Sequence, residues 1–572
     1  LWQPAKLSAT DQEPRLKAKY SVALIVLISV VAYANSFRNE FVWDDVSSVQ
    51  SNKYVTSPGH VAKLFVTDQH AFGRGQGNFY RPLTSLSFML NYRIGQERTL
   101  GYHLVNLLLH CGVALCLYFL LRMLTSEETL AFPAALLFTI HPLHTEAVTY
   151  ISGRADMLVS LFGLLCLISL VAAIRMMRRH GLENGVEGGS SWQPLLLCAA
   201  SAVFLILALL SKELGALFPF LALATILCFG LSKGVLPKRW CWAPVAVLFG
   251  ILVAYGLLRL TVLNFAAESA RTPQTSSAGS AIATPFQTLA TYLSMALFPV
   301  RLHMERQLGP PSMWVVTLGI LTFVVWLTGI VIAVRSRRRV LLFGLVWVAL
   351  SILPVVGILP LNAPLAEHWL YVPLMGVSVL AALGVVNLLR MGVIAGSRTR
   401  KGVFLAAIVL IAACYLALTI RRNTDWRDNY TLFSKTLEYA PESARVHYNL
   451  GIVLQQRGDE TGAVREFGET IRLDPANVYA RVDLAYILQE HQELARAAKL
   501  YREAISLSSN APDEAYVEAN ANLAIILIRA GRYPEARQHL QAALQVVPGD
   551  QQLRRMLESL GTEPNKLDPS QQ

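Results

Sequence analysis

Long apolar runs recur from position 20 to position 420. From Asp425 onward they give way to charged, helix-periodic sequence. Runs of about 17–23 apolar residues are long enough to cross a hydrocarbon layer of about 30 Å. Eleven spans are predicted, at about 20–36, 102–122, 130–141, 156–174, 195–210, 214–231, 242–262, 313–334, 340–358, 370–389 and 402–420. The third is too short to cross unaided and is expected to be tilted or half-buried. The apolar stretch 285–299 reads as interfacial or re-entrant. Segment 20–36 has basic flanks and no clear small-residue cleavage site, so it reads as a retained first span. The fold class is therefore all-α, in three parts: a polytopic membrane domain over 1–424, a helical repeat domain over 425–561, and a polar, disordered tail over 562–572.

The repeat domain shows itself by a period of about 34 residues, that of tetratricopeptide helix pairs. One unit, 444–477, carries Leu450, Gly451, Leu454, Ala463, Phe467 and Pro475. The next, from Val478, carries Leu484, Ala485, Leu488, Ala497, Tyr501 and Ala504. The third, 517–550, carries Leu523, Ala524, Leu527, Ala536, Leu540, Ala543 and Pro548. Small residues at fixed positions let paired helices approach, and large ones fill the space between them. Residues 426–441 look like a preceding half-unit. Arg445, Tyr448, Tyr479, Tyr486 and Arg529 fall where a protein-binding groove is expected. The plainer reading of these five is solvated surface.

Composition supports the division. Of all 572 residues, 54% are hydrophobic, and the mean hydropathy is +0.43. The formal net charge of +12 is unevenly spread. Residues 425–572 hold 16 Lys and Arg against 21 Asp and Glu, a net of −5, leaving +17 for the membrane part. Much of that excess lies in short loops, where it sets orientation. No nucleic-acid partner is implied. All seven cysteines lie within or beside apolar segments, so disulfides are not expected.

Basic residues cluster on one side of the predicted spans: Lys17 and Lys19; Arg175, Arg178 and Arg179; Lys233, Lys238 and Arg239; Arg335 and Arg337 to Arg339; Arg390, Arg398, Arg400 and Lys401. That side is cytoplasmic by the positive-inside rule. Arg421 and Arg422 fall on the other side and weigh mildly against the count. An odd number of spans places the repeat domain on the luminal or periplasmic side.

The polar clusters share that outer side. They are Asp44-Asp45; Arg81 in Asn78-Phe79-Tyr80-Arg81-Pro82; His141, His144 and Glu146; Arg154 and Asp156; Lys212-Glu213; and Glu367-His368 with Tyr371. Ionisable groups at membrane depth are functional candidates by default. Each also has a structural reading. Asp44-Asp45 could be a solvated loop, while Lys212-Glu213 and Arg154/Asp156 could be internal ion pairs. A metal at His141 and His144 lacks further ligands, so no metal is expected. Together the clusters suit transfer of a group from a lipid-linked phosphate. One carboxylate, Asp44 or Asp45, takes a proton from the acceptor. Cations at Arg81, Arg154 and Lys212 hold the phosphate, and apolar helices receive the lipid. His141, His144, Glu146, Asp156, Glu213, Glu367, His368 and Tyr371 would support the site.

The segments FVWDD, NFYRPL, GYHLVNLLLH, HPLHTEAVTYISGRADML, LLSKE and AEHWLYVP precede the repeats. The combination resembles the transmembrane and tetratricopeptide-repeat-containing O-mannosyltransferases and their bacterial relatives. The resemblance implies a GT-C glycosyltransferase fold and an inverting, metal-independent reaction without a cofactor. It also implies a polyprenyl- or dolichyl-phosphate sugar donor, often mannose, and a protein hydroxyl acceptor. The family's acidic pair maps onto Asp44 and Asp45, with Asp45 as base or acceptor-positioning group and Asp44 supporting. Only about three repeats, a Ser/Ala-rich loop over 264–284 and the sequence of 299–305 favour a bacterial relative in an inner membrane. The endoplasmic reticulum membrane is the alternative compartment. The rival functional reading is a non-catalytic membrane scaffold that recruits proteins through its repeats. A transporter fits less well, because transporters commonly bind near the midplane.

Overall fold

The computed structural model describes residues 18–70, 78–179, 192–229, 238–265, 278–358, 363 and 365–560. Lys17, Lys233, most of the loop 264–284 and the tail 562–572 lie outside them. Two compact units divide the chain, Leu1–Asp428 and Asn429–Gln572. The described residues are helical with turns and loops. Their one recorded β-pairing is an isolated bridge between Arg306 and Leu365.

In the first unit, the main helices are α1 (Ala18–Tyr33), α2 (Pro82–Gly95), α3 (Thr99–Thr125), α4 (Glu128–Ile140), α5 (Arg154–Arg179), α6 (Gln193–Ser211) and α7 (Phe218–Phe229). They are followed by α8 (Lys238–Leu260), α9 (Ala278–Leu297), α10 (Met313–Arg335), α11 (Arg339–Ile352), α12 (Tyr371–Arg390) and α13 (Arg398–Asn423). Among the described residues, eight helical stretches are long and apolar enough to cross a membrane. Three shorter apolar helices, Glu128–Ile140, Glu213–Phe229 and Arg339–Val355, complete the eleven expected positions. At about 1.5 Å per residue, α4 rises only about 20 Å. It packs against α3 and α12 and buries Leu130, Ala131, Ala134, Ala135 and Phe138. The stretch expected to be interfacial belongs to the 20-residue α9, which packs against α10.

α10 shows why the first unit needs a lipid solvent. Only 6% of its apolar window is buried, and Trp314 is 84% exposed. A helix apolar on all sides, with so little protein around it, is stable in hydrocarbon rather than in water. The chain is a multi-pass membrane protein.

The first and last spans end together. Asn423, near the end of α13, donates to the Ala32 carbonyl and to Asn35 Oδ1, both at 2.7 Å. Its carbonyl accepts from Asn39 Nδ2 at 2.9 Å, and its Oδ1 accepts from the Thr149 hydroxyl at 2.7 Å. A buried asparagine satisfied in this way ties three distant segments at one face of the bundle.

The second unit begins with α14 (Asn429–Leu437). It continues with the pairs α15 (Ala444–Gln456) and α16 (Glu460–Leu473), α17 (Val478–Glu490) and α18 (Leu494–Ser508), and α19 (Glu514–Arg529) and α20 (Tyr533–Val546). It closes with α21 (Gln551–Ser559). Ser443, Asp459, Asn477 and Asp513 cap their helices with side-chain oxygens. Gly451 is required by close approach, since a Cβ there would lie 2.6 Å from the Phe467 ring. The third unit's first helix starts at Glu514, three residues before the sequence expectation.

Candidate active site

The site is built from a turn that the chain makes just beyond α1. Asp45 Oδ2 accepts from the Val42 N–H at 3.1 Å, and the Asp45 N–H donates to the Val42 carbonyl at 3.0 Å. Asp45 Oδ1 accepts from both the N–H and the hydroxyl of Ser152, at 2.7 and 2.6 Å. The Asp45 side chain is fully buried. Burial pushes its carboxyl up to about 7, against the lowering effect of these three hydrogen bonds. Asp44 differs: it is half-buried, and no described side chain hydrogen-bonds its carboxylate. Asp45, the expected base, also latches the turn, and Asp44 is the less buried of the two.

Ser152 is held in place from below. Asn106 on α3 donates to the carbonyls of Val148, Tyr150 and Ile151 at 3.1 to 3.4 Å. Its Oδ1 accepts from Arg154 Nε at 2.8 Å. Arg154 also donates to Ser87, to Asn91 Oδ1 at 2.6 Å and to the Tyr102 carbonyl at 3.0 Å. Its guanidinium stacks on Phe88 at 4.7 Å and is fully buried. All three nitrogens bond inside the protein, so Arg154 organises the turn rather than facing a phosphate. Gly153 completes this packing. A Cβ there would meet the Ala147 and Glu146 carbonyls at 2.5 and 2.6 Å.

The remaining cations divide in the same way. Lys212 Nζ binds Asp156 Oδ1 at 2.6 Å, and both side chains are nearly fully buried. Arg81 bonds Glu213 through Nε at 3.1 Å and lies over the Phe79 ring at 4.7 Å. Its two terminal nitrogens make no hydrogen bond to described residues. Arg81 is carried by a braced segment. Asp68 accepts from the N–H groups of Phe79 and His70 at 2.7 and 2.6 Å. Arg259 on α8 donates to the Asn78 carbonyl and side chain at 2.8 Å. His70 stands within electrostatic reach of Asp44, Arg81, Asp68 and Glu213, and burial lowers its pKa.

A second network adjoins the first. Glu146 accepts from the His368 N–H at 3.0 Å and meets His368 Nδ1 at 2.8 Å. Glu367 is buried between Arg306 at 3.3 Å and Arg422 at 3.5 Å, and accepts from the His303 N–H. Burial raises its pKa, while the two arginines pull it down. Arg422 also binds Asp425 at 2.9 Å.

The six polar clusters thus join in two groups, one through Asp45–Ser152, Arg81–Glu213 and Lys212–Asp156, the other through Glu146–His368. His141, His144 and Tyr371 do not border the free groups. His144 and Tyr371 pack in the interior with Phe138, His144 lying 4.3 Å from Phe138 and 4.6 Å from Tyr371, while the His141 ring packs on His144 and Tyr415. His141 donates through Nε2 to the Ala296 carbonyl at 3.0 Å, because Nδ1 accepts from the Leu143 N–H. Burial lowers the His144 pKa well below its ordinary value. Sequence reasoning missed Asp68, His70, Asn106, Arg259, Arg306 and Arg422. Asn106 had a visible signal: with His103 and His110 it repeats at helical spacing within an apolar run.

In the repeats, Tyr448 donates to Asp483 at 2.8 Å, and Tyr479 donates to Asp513 at 2.9 Å. These two tyrosines join one repeat to the next. Tyr486, Arg445 and Arg529 are exposed.

The fold defines a polytopic helical membrane protein with a helical-repeat domain. The family models bear out the repeats. Tetratricopeptide-repeat family models match residues 448–515 and 488–560. The protein O-mannosyl-transferase F38B6.6 of Caenorhabditis elegans is 27% identical, over 82% of this chain and 65% of its own length. Human protein O-mannosyl-transferase TMTC3 is 26% identical, over 85% of this chain and 55% of its own. The chain thus spans less than two thirds of these relatives. Among solved structures, the Archaeoglobus fulgidus oligosaccharyltransferase in its apo form aligns with a TM-score of 0.43 and 13% identity, over 76% of this chain and 59% of that one.

Proposed function

We propose that this chain is a GT-C-type membrane glycosyltransferase that moves a sugar, with mannose as first candidate, from a polyprenyl- or dolichyl-phosphate to a protein hydroxyl. The observation that carries the reading is the contrast between the two aspartates. Asp45 accepts three hydrogen bonds, while Asp44 beside it receives none from a described side chain, and both Asp44 and Arg81 act electrostatically on His70. The relatives' names supply the sugar and the protein acceptor.

In this reaction the acceptor oxygen attacks the anomeric carbon, and the bond from that carbon to the phosphate oxygen breaks. Asp44 takes the acceptor's proton. Charge gathers on the departing lipid phosphate, and the two terminal nitrogens of Arg81 are matched to its oxygens. Lys212, paired with Asp156, sets the local potential without direct contact. The donor carries the energy of the reaction, so the chemistry calls for no cofactor. The site faces the lumen or periplasm, where the repeats present a protein acceptor or partner; a bacterial inner membrane is the preferred compartment.

The test is transfer by purified protein in lipid, with radiolabelled polyprenyl-phosphate sugars and candidate acceptor peptides. Asp44→Asn is expected to lower kcat by about 100-fold or more, in line with loss of a general base, with the melting temperature retained. Arg81→Gln is expected to lower it while raising KM for the donor. Full activity in Asp44→Asn would remove Asp44 from the chemistry. Absence of transfer by folded wild type, across the panel, would favour the scaffold reading.

A further inference from the structure

α10 has 23 residues and rises about 34 Å at about 1.5 Å per residue. That is enough to cross a hydrocarbon layer of about 30 Å, so the turn into α11 stands level with the lipid headgroups. The turn carries Arg335, Arg337, Arg338 and Arg339 within five positions. All four are exposed, and among the described residues none forms an ion pair. Arg122 and Arg390 differ, since they bind Glu128 at 3.2 Å and Glu127 at 3.4 Å. Arg339 donates to the Phe229 carbonyl at the end of α7, at 3.2 Å. The side chains of Arg335, Arg337 and Arg338 make no hydrogen bond to described residues. The backbone fixes the turn. The Arg338 N–H donates to the Ala333 carbonyl at 2.9 Å, and the Arg337 N–H donates to the Val334 carbonyl at 3.2 Å. This ending sets Arg337 at φ +53, the left-handed position that glycine commonly fills. An arginine is strained there where glycine is not, and such outliers gather at binding sites. Val331, Ile332 and Val334, in the last turn of α10, are exposed apolar side chains. Val331 and Ile332 precede Arg335 by four and three residues and so share its face.

We infer that the α10–α11 turn is a binding site for acidic phospholipid, with Arg335, Arg337 and Arg338 on the headgroup phosphate and an acyl chain along Val331 and Ile332. A guanidinium matches phosphate oxygens through two parallel N–H bonds. Charges already spent on internal carboxylates have less to offer an external anion, and these three have no such partner. Each cation near an acidic membrane surface strengthens attraction about fivefold. The orientation expected from the basic turns puts this one in the cytoplasmic leaflet, where acidic lipids are concentrated. Only 6% of the apolar window of α10 is buried, so a bound lipid supplies contacts that the protein does not. The inference is independent of the transferase reading.

The experiment places the full chain in mixed bilayers of phosphatidylcholine and phosphatidylglycerol, and reads by native mass spectrometry which lipid stays bound. Wild type is compared with Arg337→Gly and with the triple variant Arg335→Gln, Arg337→Gln and Arg338→Gln. A control carries Arg465→Gln, Arg472→Gln and Arg496→Gln, exposed positions of the repeat domain, and changes the net charge equally. Wild type is expected to prefer phosphatidylglycerol, and rising salt to erode that preference. The triple variant is expected to lose about tenfold or more of it, and Arg337→Gly about fivefold. Glycine relieves the left-handed backbone, so Arg337→Gly is expected to melt no lower than wild type in phosphatidylcholine alone. The control keeps the wild-type preference. No preference in wild type, a triple variant that retains it, or a control that loses as much would overturn the inference.

Discussion

Asp45 and Ser152, 107 positions apart, are joined by two hydrogen bonds to a single carboxylate oxygen. The pair fastens the loop after the first span to the turn that begins α5. Hydrogen bonds to a carboxylate contribute about 1.5–3 kcal/mol each. Ser152→Ala removes the hydroxyl and keeps the N–H bond. It is expected to lower stability by about that amount, read as a fall in melting temperature in detergent, with wild-type kcat once folded.

The same carboxyl predicts a pH dependence. Burial raises its folded-state pKa from 3.8 to about 7, so folding takes up a proton between those values. Stability relative to Asp45→Asn is greatest below pH 4, falls as pH rises to 7, and is level above. The total change is on the order of a few kcal/mol at most. Melting curves of the two proteins from pH 4 to pH 8 test this. A difference that grows with pH would contradict it.

Arg81 and Arg154 should respond differently to the same substitution. Lysine cannot serve the acceptors around Arg154 on Ser87, Asn91, Tyr102 and Asn106. Arg154→Lys is therefore expected to destabilise the fold by about 3 kcal/mol or more, as loss of a buried charged network does. Arg81→Lys keeps a cation but loses the fork. It should fold normally and raise donor KM by about tenfold, the scale of one charge-assisted hydrogen bond. Thermal unfolding and kinetics on both variants separate the two roles.

The buried pair Lys212–Asp156 gives a cycle. Lys212→Met alone leaves a buried carboxylate without its ion partner and should cost about 3–5 kcal/mol. Adding Asp156→Leu should recover most of that loss. Additive losses, measured as unfolding free energies, would show that the two charges are not coupled.

Gly153→Ala places a methyl group against two backbone carbonyls. Neither carbonyl can give way without disturbing the turn that Asn106 and Arg154 hold. The expected outcome is poor recovery of folded protein, judged by size exclusion. Normal recovery would mean that the turn is looser than the geometry indicates.

Much of this molecule was legible along the chain. Apolar runs located the eleven helices, because a segment in lipid must be apolar over a length set by the bilayer. The repeat period located the helix pairs at the tail, because stacked units need small and large residues at the same phase. The polar clusters stood out because charges amid apolar sequence are rare. What stayed hidden was the use of each charge. Arg81, Arg154 and Lys212 look alike in sequence, yet one keeps a free fork, one is wholly bonded and one is paired.

The sequence by itself determined that this chain crosses a membrane many times, sets polar clusters between its apolar runs and carries tetratricopeptide repeats. Those properties follow from local composition and period, which need no knowledge of what lies opposite. Only the tertiary structure decided that Asp45 latches onto Ser152 and that Arg81 is paired with Glu213. Each depends on partners about a hundred residues away. A carboxylate's role is set by the donors that reach it, and those donors are brought together by folding.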